Sequence, residues 1–169
     1  MNLSIRCLKT LNRYYIFLMC TLFITCKESQ LPYNKHESEP SALKQGVRGK
    51  VIYKEGTFDS RGNLISNGTV IGVQRDLYFY ERSGLKEAET NDGSFLTMIH
   101  SSVIDSCKSD KNGNFLIALK PGSYSVIIQE NDRLYAQLND DGYFNPVTVY
   151  KDSVSSMYLF IDYKAEYSE

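Results

Sequence analysis

Residues 109–130 read SDKNGNFLIALKPGSYSVIIQE, and they restrict the fold more than any other stretch of the chain. Phe115, Ile117 and Leu119 share one parity, with Leu116 and Ala118 between them. Tyr124, Val126 and Ile128 repeat the pattern, opposed by Ser123, Ser125 and Gln129. Alternation at a period of two is the mark of strands that bury one face. Ile127, on the more polar side, implies partial cover there. Lys120-Pro121-Gly122-Ser123 stands between the two runs. Proline presets φ and glycine accepts a positive φ at the central positions of a type II turn, so a hairpin is predicted.

The remaining chain reads the same way. Residues 46–53 form a candidate first strand, with Val47 and Val51 in phase, and residues 55–69 a long turn-rich loop. Residues 70–82 form the next strand, although its parity puts Arg75 on the face of Val73, Leu77 and Phe79. A bulge near Arg75 or Asp76, or an exposed strand end, would relieve that conflict. Residues 83–94 are polar loop, and residues 95–107 hold one long or two short strands. After the loop at 131–146 come short strands at 147–150 and 155–163. The 13 Tyr and 8 Phe suit strands better than helices. The expectation is an all-β antiparallel sandwich of about seven strands spanning residues 46–165, with a tail at 166–169.

The first 25 residues belong to a different logic. Arg6, Lys9 and Arg13 precede an uncharged, mostly apolar run at 14–25. As helix that run would reach about 18 Å, short of the roughly 30 Å hydrocarbon core, so it reads as a signal peptide. It ends at Cys26, followed at once by Lys27 and Glu28, and this resembles the lipobox of bacterial lipoproteins. Phe23, Ile24 and Thr25 depart from the usual small residues of that box. The resemblance implies lipidation of Cys26 and localisation at the outer membrane, on its periplasmic or cell-surface side. The CKES start also looks like the tag of some surface lipoproteins of the Bacteroidetes. Residues 27–45 are polar, contain Pro32 and Pro40, and read as a flexible tether. It would span about 25 Å as coil and about 60 Å extended.

Ser109, Asp110, Gly113 and Phe115, then Leu119, Pro121, Gly122 and Tyr124, fit a two-part signature, with Gly49-Lys50-Val51 upstream. In these residues the chain resembles a carboxypeptidase regulatory-like domain, as found in small lipoproteins of the Bacteroidetes. The match covers about residues 46–130. It implies a transthyretin/prealbumin-like Greek-key β-sandwich acting as an accessory module rather than as the peptidase.

Candidate chemistry is sparse. Asp110, Asn112 and Asn114 open like a calcium loop, but the twelfth position, where a bidentate acid belongs, is Pro121. The same residues favour a turn. His36 and Glu39 form H-x-x-E, yet His100 is the only other histidine, and zinc catalysis usually needs a third protein ligand. With Cys26 lipidated at the start of the mature chain, Cys107 would be its one free cysteine; the seven-residue offset from His100 puts the two on opposite faces of a straight strand. No metal site or cofactor is expected, and a net charge of −1 gives no reason to expect nucleic acid. Tyr78, Tyr80, Tyr135, Tyr143, Phe144 and Tyr158 could stack on sugar, although tryptophan is absent. Within the loop at 131–146, Arg133, Tyr135, Asp140, Asp141, Tyr143 and Phe144 combine charge with aromatic surface and are the candidate binding residues. Asp152-Ser153-Val154 fits a short O-glycosylation pattern at Ser153.

The reading is therefore a non-catalytic envelope lipoprotein. Its sandwich would bind another protein in or on the outer membrane; the alternative is a carbohydrate-binding module of a surface glycan-handling system.

Overall fold

The computed structural model describes residues 43–90 and 92–168. The expected leader at 1–25, Cys26, His36 and all but the last three residues of the expected tether lie outside the described residues.

The described chain is all-β, with eleven strands in two sheets. The first sheet is built on one long strand, β1 (Gly46–Phe58). β11 (Val154–Tyr167) runs parallel to it along one edge. Its other edge is shared between β7 (Asn114–Ile117), antiparallel to the first half, and β2 (Leu64–Gly72), antiparallel to the second. The second sheet takes β3 (Asp76–Glu81), β4 (Ala88–Thr90), β5 (Phe95–Ile99), β6 (Val103–Lys108), β8 (Gly122–Glu130), β9 (Arg133–Tyr135) and β10 (Pro146–Val149). Its order is β4-β5-β9-β8-β3-β6, with β10 also on β8. β11 extends past residue 165 and takes in Glu166 and Tyr167, assigned to a tail by sequence.

The alternation explains why the sheets meet. Val47 and Val51 of β1, Phe115 and Ile117 of β7, and Leu159 and Ile161 of β11 all point one way. Leu77, Phe79, Val126, Ile128, Tyr135, Val147 and Val149 of the second sheet share that core, giving the arrangement of a β-sandwich. Burying each large apolar side chain contributes about 1.5–3 kcal/mol. Ile127 is buried on the opposite face of β8, in a second cluster with Tyr80, Leu96, Ala136 and Phe144, so the expected cover exists.

Four expectations need correction. The described residues form eleven strands rather than about seven. Residues 55–69 are not a loop: β1 and β2 pair across a turn at 59–63, with register shifts at Glu55, Thr57 and Phe58. Nearly all of β2 is exposed, so it lacks the apolar alternation that marks a strand. The run at 70–82 is two strands in different sheets, and Arg75 lies in the crossing between them. The predicted hairpin at 114–129 is a corner. β7 belongs to the first sheet and β8 to the second, and they do not pair. Gly122 is the first residue of β8 and is not among the positive-φ glycines, so no type II turn forms. Leu119 and Tyr124 both enter the core from either side of the proline, and the Tyr124 hydroxyl donates to the Lys120 carbonyl at 2.8 Å. Two strands with inward faces on opposite walls of one core satisfy the same periodicity as a hairpin.

The crossing at 73–75 is held by Ser109, which is buried. Its hydroxyl accepts from the Arg75 amide at 2.7 Å and donates to the Val73 carbonyl at 2.9 Å, while its own amide donates to the Arg75 carbonyl. Arg75 Nε then donates to Glu130 Oε2 at 2.5 Å, and Tyr163 and Asn131 supply further donors to Glu130 Oε1.

One local solution turns the chain three times. In 59–63, 110–114 and 139–143, the first side-chain oxygen accepts from the amide four residues on, and the fourth residue is a glycine with φ between 80° and 85°. At Gly113 nothing else would fit, since a Cβ would lie 2.2 Å from the Val51 carbonyl oxygen. Hydrogen bonds from the Asn63 side chain and amide hold Asp59 below the usual carboxylate range, and those from Asn114 do the same for Asp110. Asp92, accepting from the Phe95 and Ser94 amides, is lowered too. A depressed folded pKa gives stability that is complete above the unfolded value of about 3.9 and is lost as pH falls through the folded one. Urea midpoints measured from pH 5 to pH 2 are expected to fall less steeply for Asp59→Asn/Asp110→Asn than for the parent chain. Parallel profiles would count against the turns as the acid-sensitive elements.

Candidate functional site

The sequence-selected loop divides into exposed and buried members. Asp140 and Asp141 are exposed at the tip of the third glycine turn. Arg133 is exposed, with its guanidinium 3.6 Å from the centre of the Phe95 ring. Tyr143 is half-buried under the Arg82 guanidinium at 3.7 Å. Tyr135 and Phe144, by contrast, are core residues at 1% and 0% exposure. Tyr135 packs edge-on to Phe95, and its hydroxyl donates to Asp162 Oδ1 at 2.8 Å; burial, then the Asp162 charge, raises its pKa. The six residues therefore do not make one surface.

The other candidates resolve individually. Both Asp110 carboxylate oxygens accept hydrogen bonds within the turn, from the Asn112 and Asn114 amides and from Asn114 Nδ2. Among the described residues no group of three or more His, Cys, Asp or Glu side chains is placed to hold a metal ion. Cys107 is half-buried against the core, and burial pushes its thiol up to about 12. His100 lies between β5 and β6, rather than on one straight strand with Cys107, and faces Glu89 at 3.6 Å. Ser153 is half-buried in the short connection from β10 to β11. Gln45, placed in the tether by sequence, bonds to the Leu119 carbonyl and the Asp152 amide and so ties the domain's entry strand to two loops.

Two features missed by sequence reasoning stand out. The first is β2, which among the described residues pairs with β1 on one side only and so forms an edge of its sheet. Leu64, Ile65, Val70 and Ile71 are 43–57% exposed along it. Edge strands are normally shortened or charged to block unwanted pairing. β4 has three residues and carries Glu89, β6 carries Asp105 and Lys108, and β11 carries Asp162, Lys164 and Glu166. β2 has nine residues and no charge.

The second is a groove of about 840 Å3 on the outer face of the first sheet. Strand register lays out its floor in two rows. Leu116, Arg48 and Ser156 lie abreast on β7, β1 and β11, followed by Asn114, Lys50 and Tyr158. Gln74, Lys108 and Asp110 form a wall. The only trace of this in sequence is the shared parity of Arg48 and Lys50, and separately of Ser156 and Tyr158.

Compared with protein-family models, with curated proteins and with solved structures, the chain gives no match.

Proposed function

We propose that the chain is a non-catalytic lipoprotein of the outer membrane, anchored through Cys26, whose sandwich binds another envelope protein. The fold assigned to it in this reading is the transthyretin-like, carboxypeptidase regulatory-like module, on the strength of the signature from Ser109 to Tyr124. The observation that carries the binding role is β2, a nine-residue uncharged edge with four exposed apolar side chains. A free edge offers main-chain donors and acceptors in register, and an incoming extended segment adds a strand by pairing with them. The partner segment is accordingly extended and largely apolar, without a block of charge.

The test places a photo-crosslinking side chain at Ile71 of the full chain in cells of its source organism. One discrete adduct is expected, together with slowed amide exchange over Leu64–Gly72. Both are expected to disappear in Ile65→Lys/Val70→Lys, whose melting temperature should match the parent because both positions are exposed. An adduct that persists in the lysine variant overturns the assignment to β2, and an adduct of twice the chain's own mass replaces the envelope partner with a second copy. In the same cells Cys26→Ala is expected to abolish incorporation of a labelled fatty acid; retained label would overturn the anchor.

A further inference from the structure

We infer that the groove on the first sheet binds an acidic oligosaccharide, one whose rings carry carboxylate or sulfate. This site is separate from β2 and stands whether or not β2 takes a partner.

Charge comes first. The chain as a whole is at −1, yet the groove is lined by Arg48, Lys50 and Lys108 against a single carboxylate, Asp110. Both oxygens of that carboxylate are occupied by its own turn. Lys108 is partnered by Asp76 at 3.0 Å. Arg48 uses only Nε, which donates to Ser156 Oγ at 3.0 Å, and Lys50 makes no ion pair or hydrogen bond among the described residues. Two positions apart on one strand, these side chains leave the same face about 7 Å apart at the backbone; Arg48 leans to Ser156 on β11 and Lys50 toward Gly72 and Asp110. Two separated cations on one face, with donors unused, match a ligand carrying more than one anionic group rather than a single ion.

The neutral groups decide the rest of the ligand. Tyr158 is 67% exposed, lies abreast of Lys50, and is stacked with Phe160 at 6.4 Å and 21°. A flat, supported aromatic face next to a cation suits the apolar side of a pyranose ring. Asn114, Gln74 and Ser156 line the same groove and both donate and accept, as hydroxyl groups require. An acidic peptide fits less well. Peptides in extended recognition bind through free backbone edges, and β1 between Val47 and Lys50 is hydrogen-bonded to strands on both sides. The central strand of the floor offers side chains only.

The test is calorimetric titration of the full lipidated chain in detergent with hexagalacturonate, a sulfated hexasaccharide, methyl-esterified hexagalacturonate and hexaglutamate. Saturable binding of one or both acidic sugars is expected, weakening with added salt. Arg48→Ala/Lys50→Ala should weaken it by about tenfold or more, since charge-assisted hydrogen bonds are lost. Tyr158→Ala should weaken it while Tyr158→Phe restores it, which a purely electrostatic site would not show. The positions are on the surface, and unchanged melting temperatures would separate these effects from misfolding. The inference is overturned if neither acidic sugar saturates by about 10 mM, which corresponds to binding weaker than about 3 kcal/mol. It is equally overturned if the ester or hexaglutamate binds as well as the acid, or if the substitutions leave affinity unchanged.

Discussion

Replacing Arg75 with alanine is expected to destabilise the sandwich by about 3–5 kcal/mol, the cost of stranding a buried charge. The Glu130 side chain is only 3% exposed, whereas that of Arg75 is 26% exposed, so the two partners are not equivalent. Without the guanidinium, Glu130 keeps only the Tyr163 hydroxyl and the Asn131 amide as charge-assisting neighbours. Glu130→Gln leaves the cation instead, but Arg75 can turn toward water and still donates to the Gln74 carbonyl. That substitution should cost less, about 1–2 kcal/mol. Removing both charges as Arg75→Ala/Glu130→Gln should cost less than the sum of the two single changes, because no buried charge is left unpaired. Urea denaturation of the four proteins measures this cycle. Additive losses would mean that the pair is a surface contact in energetic terms.

Phe144→Ala is expected to cost a similar amount, about 3–5 kcal/mol, for a different reason. Phe144 is fully buried in the cluster that covers the outer face of the second sheet, with Ile127, Leu96 and Tyr80. Deleting its ring removes the transfer free energy of the ring and leaves a cavity that a β-sheet floor cannot collapse to fill. The neighbouring Asp140 and Asp141 are exposed, and their asparagine variants should lie within about 0.5 kcal/mol of the parent. The contrast has a practical use. Any loss of binding in a Phe144 variant has to be read against its melting temperature, whereas the same loss in an Asp140 variant reports on the surface. Equal stability of Phe144→Ala and the parent would sink the assignment of Phe144 to the core.

The inward faces of the strands were legible because burial imposes a period of two wherever one side is dry. Val47, Val51, Phe115, Ile117, Val126 and Ile128 all lie where their parity places them. Connectivity was less legible. The Pro121-Gly122 pair suits a tight turn in sequence, and nothing local distinguishes a hairpin from a corner between two walls of one core. Arg75 signalled a break, and its partner, 55 positions away at Glu130, carries no mark in sequence. The first six residues of β2 read as loop because an exposed strand interrupted by Asn67, with φ of 40°, has no period to detect. The groove escaped because Leu116, Arg48 and Ser156 come together only through strand pairing. The loop at 131–146 shows the opposite case: its aromatic residues stand in a polar context that suits contact residues, yet Tyr135 and Phe144 are core.

The pairing of β1 with β11 has a temporal side. Arg48 and Ser156 meet across 108 positions, and the partners of β1 come from β2, β7 and β11. While the ribosome is still working toward Val154, the strand on which the first sheet is built has one of its two flanks empty. Contacts of such long range form late and slowly, because the loop between them must be closed before they return any energy. The first sheet of such a chain is complete only once β11 has been made.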